Sequence, residues 1–423
     1  MSTATSREAS DAVSLRLMVL ALAPFAFGYF LSYLFRAANA VVAADLVAEI
    51  GLTASELGLL TAAYLFAFAV FQIPLGILLD RYGPRRVQAA LMVLAAAGAL
   101  LFASGRSVAL LATARALIGL GFAGGLMSGF KAVVLWVPEP RRALANASVM
   151  SFGALGLLVA TVPMEWGVQF AGWRAVFAAL ALITFLVAML ILILVPERTS
   201  ATAGGTLTEQ MASVAAIFRD AAFLRLAPLV AATAGTHIAI QTLWAGPWFR
   251  DVAGLDRIGV ASHLLAMAAA FFVGILSSGA VADWLVRRGT SMLTVMLGFL
   301  LLFLASQLVI VVDWPPLRLL AWLAFAMTGQ AAILAYPWLA NYFGAQLSGR
   351  AHTATNLLIF LTAFIAQSAI GVLIDLFPRT ASGGYAPRAY QLAFGAFLGL
   401  QVLTLLWYLA NRGVFGMPRN EGA

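Results

Sequence analysis

The chain has 423 residues, of which 63% are hydrophobic and 10% charged, with a mean hydropathy of +0.98. That much apolar surface exceeds what a soluble core can hide and calls for lipid as the solvent. The net charge of +8 invites a nucleic-acid reading, but the basic residues stand in ones, twos and threes between apolar runs, which excludes nucleic acid as a partner. Without cysteine there is no disulfide, thiolate metal site or thiol nucleophile.

The apolar runs are about 20 residues or longer rather than alternating strands of about ten, so the chain is expected to be an all-α polytopic membrane protein. The polar start, Met1 to Ser14, leads into an apolar run that contains Arg36 and is too long for a signal peptide, which predicts an uncleaved first helix. Spans are expected at 16–45, 54–79, 87–104, 109–136, 143–166, 173–195, 223–248, 259–282, 290–312, 316–338, 351–375 and 388–411. Breakers at Pro84, Pro138, Pro140, Pro196, Pro315, Pro316 and the Gly383-Gly384 pair separate them.

These twelve spans divide into an amino-terminal half at 1–195, a central loop at 196–222 and a carboxyl-terminal half at 223–423. In the loop Leu207, Met211, Val214 and Phe218 recur at helical spacing, which predicts a short helix on the membrane face. Gly121, Gly125 and Gly129 on the fourth span, and Gly395 with Gly399 on the twelfth, have the spacing of close helix packing. Basic residues concentrate on one side, at Arg81, Arg85, Arg86, Arg141, Arg142, Arg287, Arg288 and Arg350. The positive-inside rule then puts both termini in the cytoplasm.

Two segments repeat about half a chain apart. Gly76-Ile-Leu-Leu-Asp80-Arg81 is followed by Gly83, Arg85 and Arg86, and Gly279-Ala-Val-Ala-Asp283 by Arg287, Arg288 and Gly289. This doubled signature resembles the major facilitator superfamily of secondary transporters, over nearly the whole chain. Arg115 with Gly119 and Gly121, Gly172-Trp173-Arg174 and Pro196-Glu197-Arg198 resemble further marks of that family. The resemblance implies two pseudo-symmetric six-helix halves, substrate bound between them near the bilayer midplane, a monomer, and a bacterial inner membrane. It also implies that Asp80, Arg81, Arg85, Asp283 and Arg287 form a gate between neighbouring helices. The fifth span has Gly153 and Gly156 but lacks the Gly-Pro pair of drug:proton antiporters.

Ionisable groups inside a membrane are costly and so point to function. Arg36, Arg115 and Lys131 fall within spans, and Lys131 is the chain's one lysine. Lys131 reads either as a cavity cation or as a side chain snorkelling to the interface, and which of Arg115 and Lys131 faces the cavity stays open. Phe130 and Ala132 flank that lysine, which excludes a P-loop and leaves a gradient as the energy source. Asp45, Glu165, Asp313 and Asp375 fall at one set of helix ends and Asp80 and Asp283 at the other, leaving no carboxylate near mid-membrane. A positive cavity follows, and a guanidinium in it selects a carboxylate or phosphate.

Tyr33-Leu34-Phe35-Arg36 resembles the first helix of two branches, the organophosphate:phosphate antiporters and the anion:cation symporters of sugar acids. That resemblance implies that Arg36 contacts the substrate anion. Two departures qualify it. Ala239, between His237 and Gln241, stands where the phosphate branch has a second arginine, and Phe35 and Phe122 stand where the sugar-acid branch has proton-carrying carboxylates. His237 is then the mid-membrane group with a suitable intrinsic pKa and the candidate for proton coupling. Gln241, Trp244, Gln330, Tyr336, Asn356 and Gln367 are the candidates for a neutral polar wall, although such residues also glue helices together.

No His-Glu-x-x-His, Gly-x-Ser-x-Gly or paired intramembrane carboxylates occur, so neither an enzyme nor a cofactor is expected. The reading is proton-coupled uptake of a small organic anion, such as a monocarboxylate or sugar acid. Efflux of amphipathic metabolites or drugs, and a non-transporting anion sensor, are the alternatives.

Overall fold

The computed structural model describes residues 2–138, 141–197, 212, 215–381 and 383–410. Every regular element among them is helical, apart from one β-bridge between Arg379 and Tyr385. The helix α1 spans Ser2–Ile50 and α2 spans Ala54–Ser104. A reciprocal cap starts α2: Thr53 Oγ1 accepts from the Glu56 N–H at 3.1 Å, and the Glu56 carboxylate accepts from the Thr53 N–H at 2.9 Å. At Gly83 the backbone reaches φ 75°, a conformation that costs a side chain dearly, and α2 bends there into two membrane-crossing limbs. Gly289, which closes the second copy of the motif, has φ 90°.

The fourth span is built from α3 (Val108–Phe122) and α4 (Gly125–Trp136). The fifth was expected to run unbroken over 143–166, but the chain divides it. α5 (Arg142–Val159) ends at Ala160 and α6 (Val162–Leu194) restarts with Pro163 in its first turn, where a missing N–H costs nothing. In the second half α7 (Ala221–Ala239) is capped by Asp220 and continues through a π-turn, Ile240–Trp244, into α8 (Ala245–Asp251). Pro247 in α8 lacks the N–H needed to continue a regular ladder, which suits the wider turn before it.

The next four helices are α9 (Arg257–Arg287), α10 (Met292–Val312), α11 (Arg318–Thr328) and, after a 3-10 turn at Ala331–Leu334, α12 (Ala335–Ile374). α12 bends at Gly344, and α13 (Pro387–Ala410) follows it. Among the described residues eleven helices are long and apolar enough to cross a membrane, and Leu144–Val159 is a shorter apolar twelfth. In the central loop Leu207, Met211 and Val214 lie outside the described residues, while the Phe218 ring packs 5.4 Å from that of Phe223.

The molecule is a multi-pass membrane protein, and its packing shows why. Large apolar side chains such as Leu182, Ile193, Leu301 and Leu403 stand exposed on the outside, where lipid covers them. Inside, backbones approach closely: a Cβ at Gly156 would meet the Phe30 carbonyl, and one at Gly121 the Leu91 carbonyl. The expectation for Gly399 fails, because nothing lies within 4 Å of where its Cβ would be. Contacts between the chain's two halves run mainly through α2 and α12, where the Phe68 and Phe360 rings stand 4.4 Å apart.

Candidate functional site

A cavity of about 410 Å³ lies between helices of the two halves. α1 contributes Tyr29, Tyr33, Arg36 and Ala37, whose spacing puts them on one helical face. α2 adds Phe68 and Gln72, the π-turn adds Gln241 and Thr242, and α12 adds Tyr336, His352, Asn356 and Phe360.

Arg36 is 7% exposed, and its guanidinium lies over the rings of Tyr33 at 4.7 Å and of Phe68 and Phe360 at 5.1 Å each. Such contacts are worth about 0.5–2 kcal/mol apiece, well short of what a carboxylate partner would supply. No carboxylate reaches it among the described residues, and its Nε lacks a hydrogen-bond partner. The result is a buried cation flanked by aromatic faces and the Tyr64 side chain, with its Nε–H unpartnered and no counter-ion among the described residues.

The other two intramembrane cations do not line the cavity. Arg115 is 1% exposed, donates to the Phe35 carbonyl at 2.8 Å and lies 4.9 Å over the Tyr64 ring. It ties α3 to α1 and α2 behind the wall. Lys131 forms an ion pair with Asp80, so neither the cavity nor free snorkelling describes it. Trp244 and Gln367 also lie off the wall: the indole N–H donates to the Gln367 carbonyl at 3.0 Å, and this contact ties the π-turn to α12. Phe35 and Phe122, in place of carboxylates, touch each other with ring centroids 5.2 Å apart.

His237 does line the cavity, 2% exposed, with both ring nitrogens lacking a hydrogen-bond partner. The rings of Phe271, Phe303 and Phe325 surround it at 5.9, 6.0 and 5.3 Å. Gly329 makes room for it: a Cβ there would stand 2.0 Å from the imidazole. Gln241 and Gln330 also reach the cavity, whereas Tyr336 is engaged with Asn356. Gln72, His352, Phe68 and Phe360 are among the lining residues that sequence reasoning missed. Gln72 carried a signal, a polar residue in an apolar span, as did His352; Phe68 and Phe360 carried none, because aromatic residues occur all along these helices.

The two ends of the molecule differ. At one end Arg257 of α9 binds Asp45 of α1 at 2.8 Å and Glu165 of α6 at 2.7 Å, joining the halves. Nearby Asp375, just past α12, accepts from the Ala54 N–H at 3.0 Å and the Ser55 N–H at 2.7 Å, while Arg379 donates to the Leu52 carbonyl at 2.5 Å. Burial alone would raise the Asp375 carboxyl, but hydrogen bonds from Ser55, Tyr385 and the Ala54 N–H hold it below its ordinary value.

At the other end the expected gate makes no ion pair between halves among the described residues. Asp80 pairs with Lys131 within the first half, and Arg85 and Arg86 pair with Glu197 at the start of the central loop. Arg81 packs over Tyr82, while Asp283 and Arg287 are exposed. The cavity reaches toward this end, lined there by Phe130 beside Lys131 and by Gly279 one turn before Asp283.

A helical membrane protein closed at one end around a central cavity between two halves has the architecture of an alternating-access carrier. Residues 25–367 match the Major Facilitator Superfamily, and the chain belongs to that family of secondary transporters; it is not an enzyme. The fold agrees with the solved inward-facing, occupied structure of a bacterial homolog of the human lysosomal transporter Spinster, at TM-score 0.78 and 16% identity over 95% of this chain and 98% of that one. It agrees also with the nucleoside transporter NupG, at TM-score 0.72 and 13% identity over 94% and 99%.

Among curated proteins the chain is 32% identical over 157 residues to the probable sulfoacetate transporter of Cupriavidus necator, covering 37% of this chain and 36% of that protein. It is 28% identical to the D-galactonate transporter of Escherichia coli O6:H1 over 62% and 66%, and 23% identical to the probable galactarate/D-glucarate transporter of Escherichia coli K12 over 80% and 83%. The match to the sulfoacetate relative thus spans little more than a third of its length.

Proposed function

We propose that this carrier takes up a small organic anion, with Arg36 as the anchoring charge. The observation that carries the reading is the unpaired, buried guanidinium on the cavity wall, since a charge held in low dielectric without a counter-ion is costly until an anion neutralises it. Relatives named for sulfoacetate, galactonate and galactarate/glucarate support the charge sign of the cargo.

The chain halves at 1–195 and 223–423 rock about the cavity, joined by the segment at 196–222. The Asp80 end faces the cytoplasm, as the concentration of arginines there suggests. Release inward then corresponds to the state with the Arg257 tie closed. Loading from outside requires that tie to break, while Asp80, Arg81, Arg85, Asp283 and Arg287 come together at the opposite end. The site combines Arg36 and Tyr33 from the first half with His237, Gln241, Gln330, Tyr336 and Asn356 from the second, with His237 as the proton-coupling group. Its location is the inner membrane, with both termini cytoplasmic, as a monomer.

Uptake into proteoliposomes of the purified chain tests this. A labelled organic acid should accumulate when the outside is more acidic than the lumen, and Arg36→Gln should abolish accumulation. Accumulation that persists in Arg36→Gln would overturn the anchoring role, and substrate-dependent export of neutral amphiphiles would favour efflux.

A further inference from the structure

We infer that the cargo is a singly charged acid with an apolar body, such as an aryl- or alkyl-carboxylate, rather than a polyhydroxylated sugar acid; this rests on the anion reading above and narrows it. The charge count comes first. Among the described residues Arg36 is the one arginine or lysine on the cavity wall, because Arg115 is turned to the Phe35 carbonyl and the Tyr64 ring, and Lys131 to Asp80. One guanidinium balances one carboxylate, and a second negative charge would enter unpaired.

The hydrogen-bond supply comes second. Most polar side chains on the wall are already used: Gln72 donates to the Ala123 carbonyl at 3.1 Å, Thr242 to the Ile238 carbonyl at 2.7 Å and Ser278 to the Ile275 carbonyl at 3.3 Å. Tyr336 is paired with Asn356, and His352 lies 3.2 Å from the Tyr336 carbonyl. What remains for a ligand is Arg36, His237, Gln241, Gln330 and the hydroxyls of Tyr29 and Tyr33, whose rings stand beside each other on α1. A sugar acid carries four or five hydroxyls, each able both to donate and to accept, and every one buried without its partners weakens binding.

The wall itself comes third. Phe68 and Phe360 flank the guanidinium and continue past it, and Phe130, Phe271, Met127 and Ile275 extend the apolar surface. An aryl or alkyl group gains from that surface about 25 cal/mol per Å² of apolar area removed from water. A hydroxylated chain gains little from it.

The experiment is thermal stabilisation of the full chain in detergent by matched probes: phenylacetate and 3-phenylpropionate against gluconate and galactonate, with phenylacetamide as the uncharged control. The expected result is half-maximal stabilisation by the aryl acids at concentrations at least about tenfold below those for the sugar acids, a gap of about 1.4 kcal/mol. Phenylacetamide should give none, and Arg36→Gln should remove the response. Sugar acids that bind as well or better, in an Arg36-dependent way, would overturn the apolar-body inference and leave the anion reading standing. No anion response, a response that survives Arg36→Gln, or an equal response to phenylacetamide would overturn both. Should Arg36→Gln fail to give a folded sample, Arg36→Lys serves instead: it should weaken the aryl acids while keeping their lead over the sugar acids, and loss of that lead would count against the inference.

Discussion

On the proposed reading transport turns on the guanidinium of Arg36, which is buried, charged, on the cavity wall and without a carboxylate partner among the described residues. Removing one partner of a desolvated charge pair costs about 2–5 kcal/mol, so Arg36→Gln should weaken anion binding at least about 30-fold in a filter-binding or thermal-shift titration. Arg36→Lys should recover only part of it, since an ammonium lacks the planar fork. His237 is tested differently. With His237→Gln, exchange of labelled for unlabelled anion should continue while accumulation driven by a pH gradient disappears, if the imidazole carries the coupled proton. Arg36 was legible from sequence as an arginine deep in an apolar run, and His237 by the same logic. Arg115 and Lys131 gave the same signal, yet Lys131 meets a carboxylate distant in sequence, and Arg115, whose Nε also lacks a partner, lies behind the wall and donates to the Phe35 carbonyl.

At the scale of elements, the bends belong to glycines. Gly83 has φ 75° and ψ 161°, an extended positive-φ conformation that is almost confined to glycine and costs a side chain on the order of 1–3 kcal/mol, so Gly83→Ala should lower the melting temperature. Gly399→Ala is the contrast: its Cβ meets nothing within 4 Å and helix propensity improves, so the melting temperature should hold or rise slightly. Sequence spacing alone grouped Gly399 with the packing glycines, because a repeat every four residues shows which glycines share a helix face but not whether a neighbour lies against that face. The split between α5 and α6 escaped for a related reason. Ala160 and Thr161 carry no strong breaker, and Pro163 read as a late residue of one helix rather than the first turn of the next.

For the whole molecule, the state observed is fixed by ties between halves at the Arg257 end. Arg257→Gln should loosen them and shift the population toward opening there. The natural chain has no cysteine, so Ala44→Cys, beside the Arg257 site, gives a single reporter whose thiol-labelling rate should rise several-fold in the double variant. Asp375 makes the same closure sensitive to acid. Its native pKa lies below that of the free carboxyl, so its contribution is complete above the free value of about 4 and is lost as pH falls through the depressed one. Labelling at Ala44→Cys should therefore change little between neutral pH and about pH 5 on account of Asp375, whereas Asp375→Asn should raise it throughout that range.

The sequence by itself determined that lipid is the solvent, that the spans are helical, that the chain repeats, and that one arginine sits mid-membrane. Each follows from local composition or spacing, which burial in a bilayer makes obligatory. Tertiary structure alone decided which of three intramembrane cations faces the cavity without a counter-ion, because that depends on Asp80 meeting Lys131 and on Arg115 lying behind the wall against the Phe35 carbonyl. It also decided the aromatic box around Arg36 and the closed Arg257 end. Both join residues hundreds of positions apart, and only the packing of one half on the other brings their side chains within contact distance.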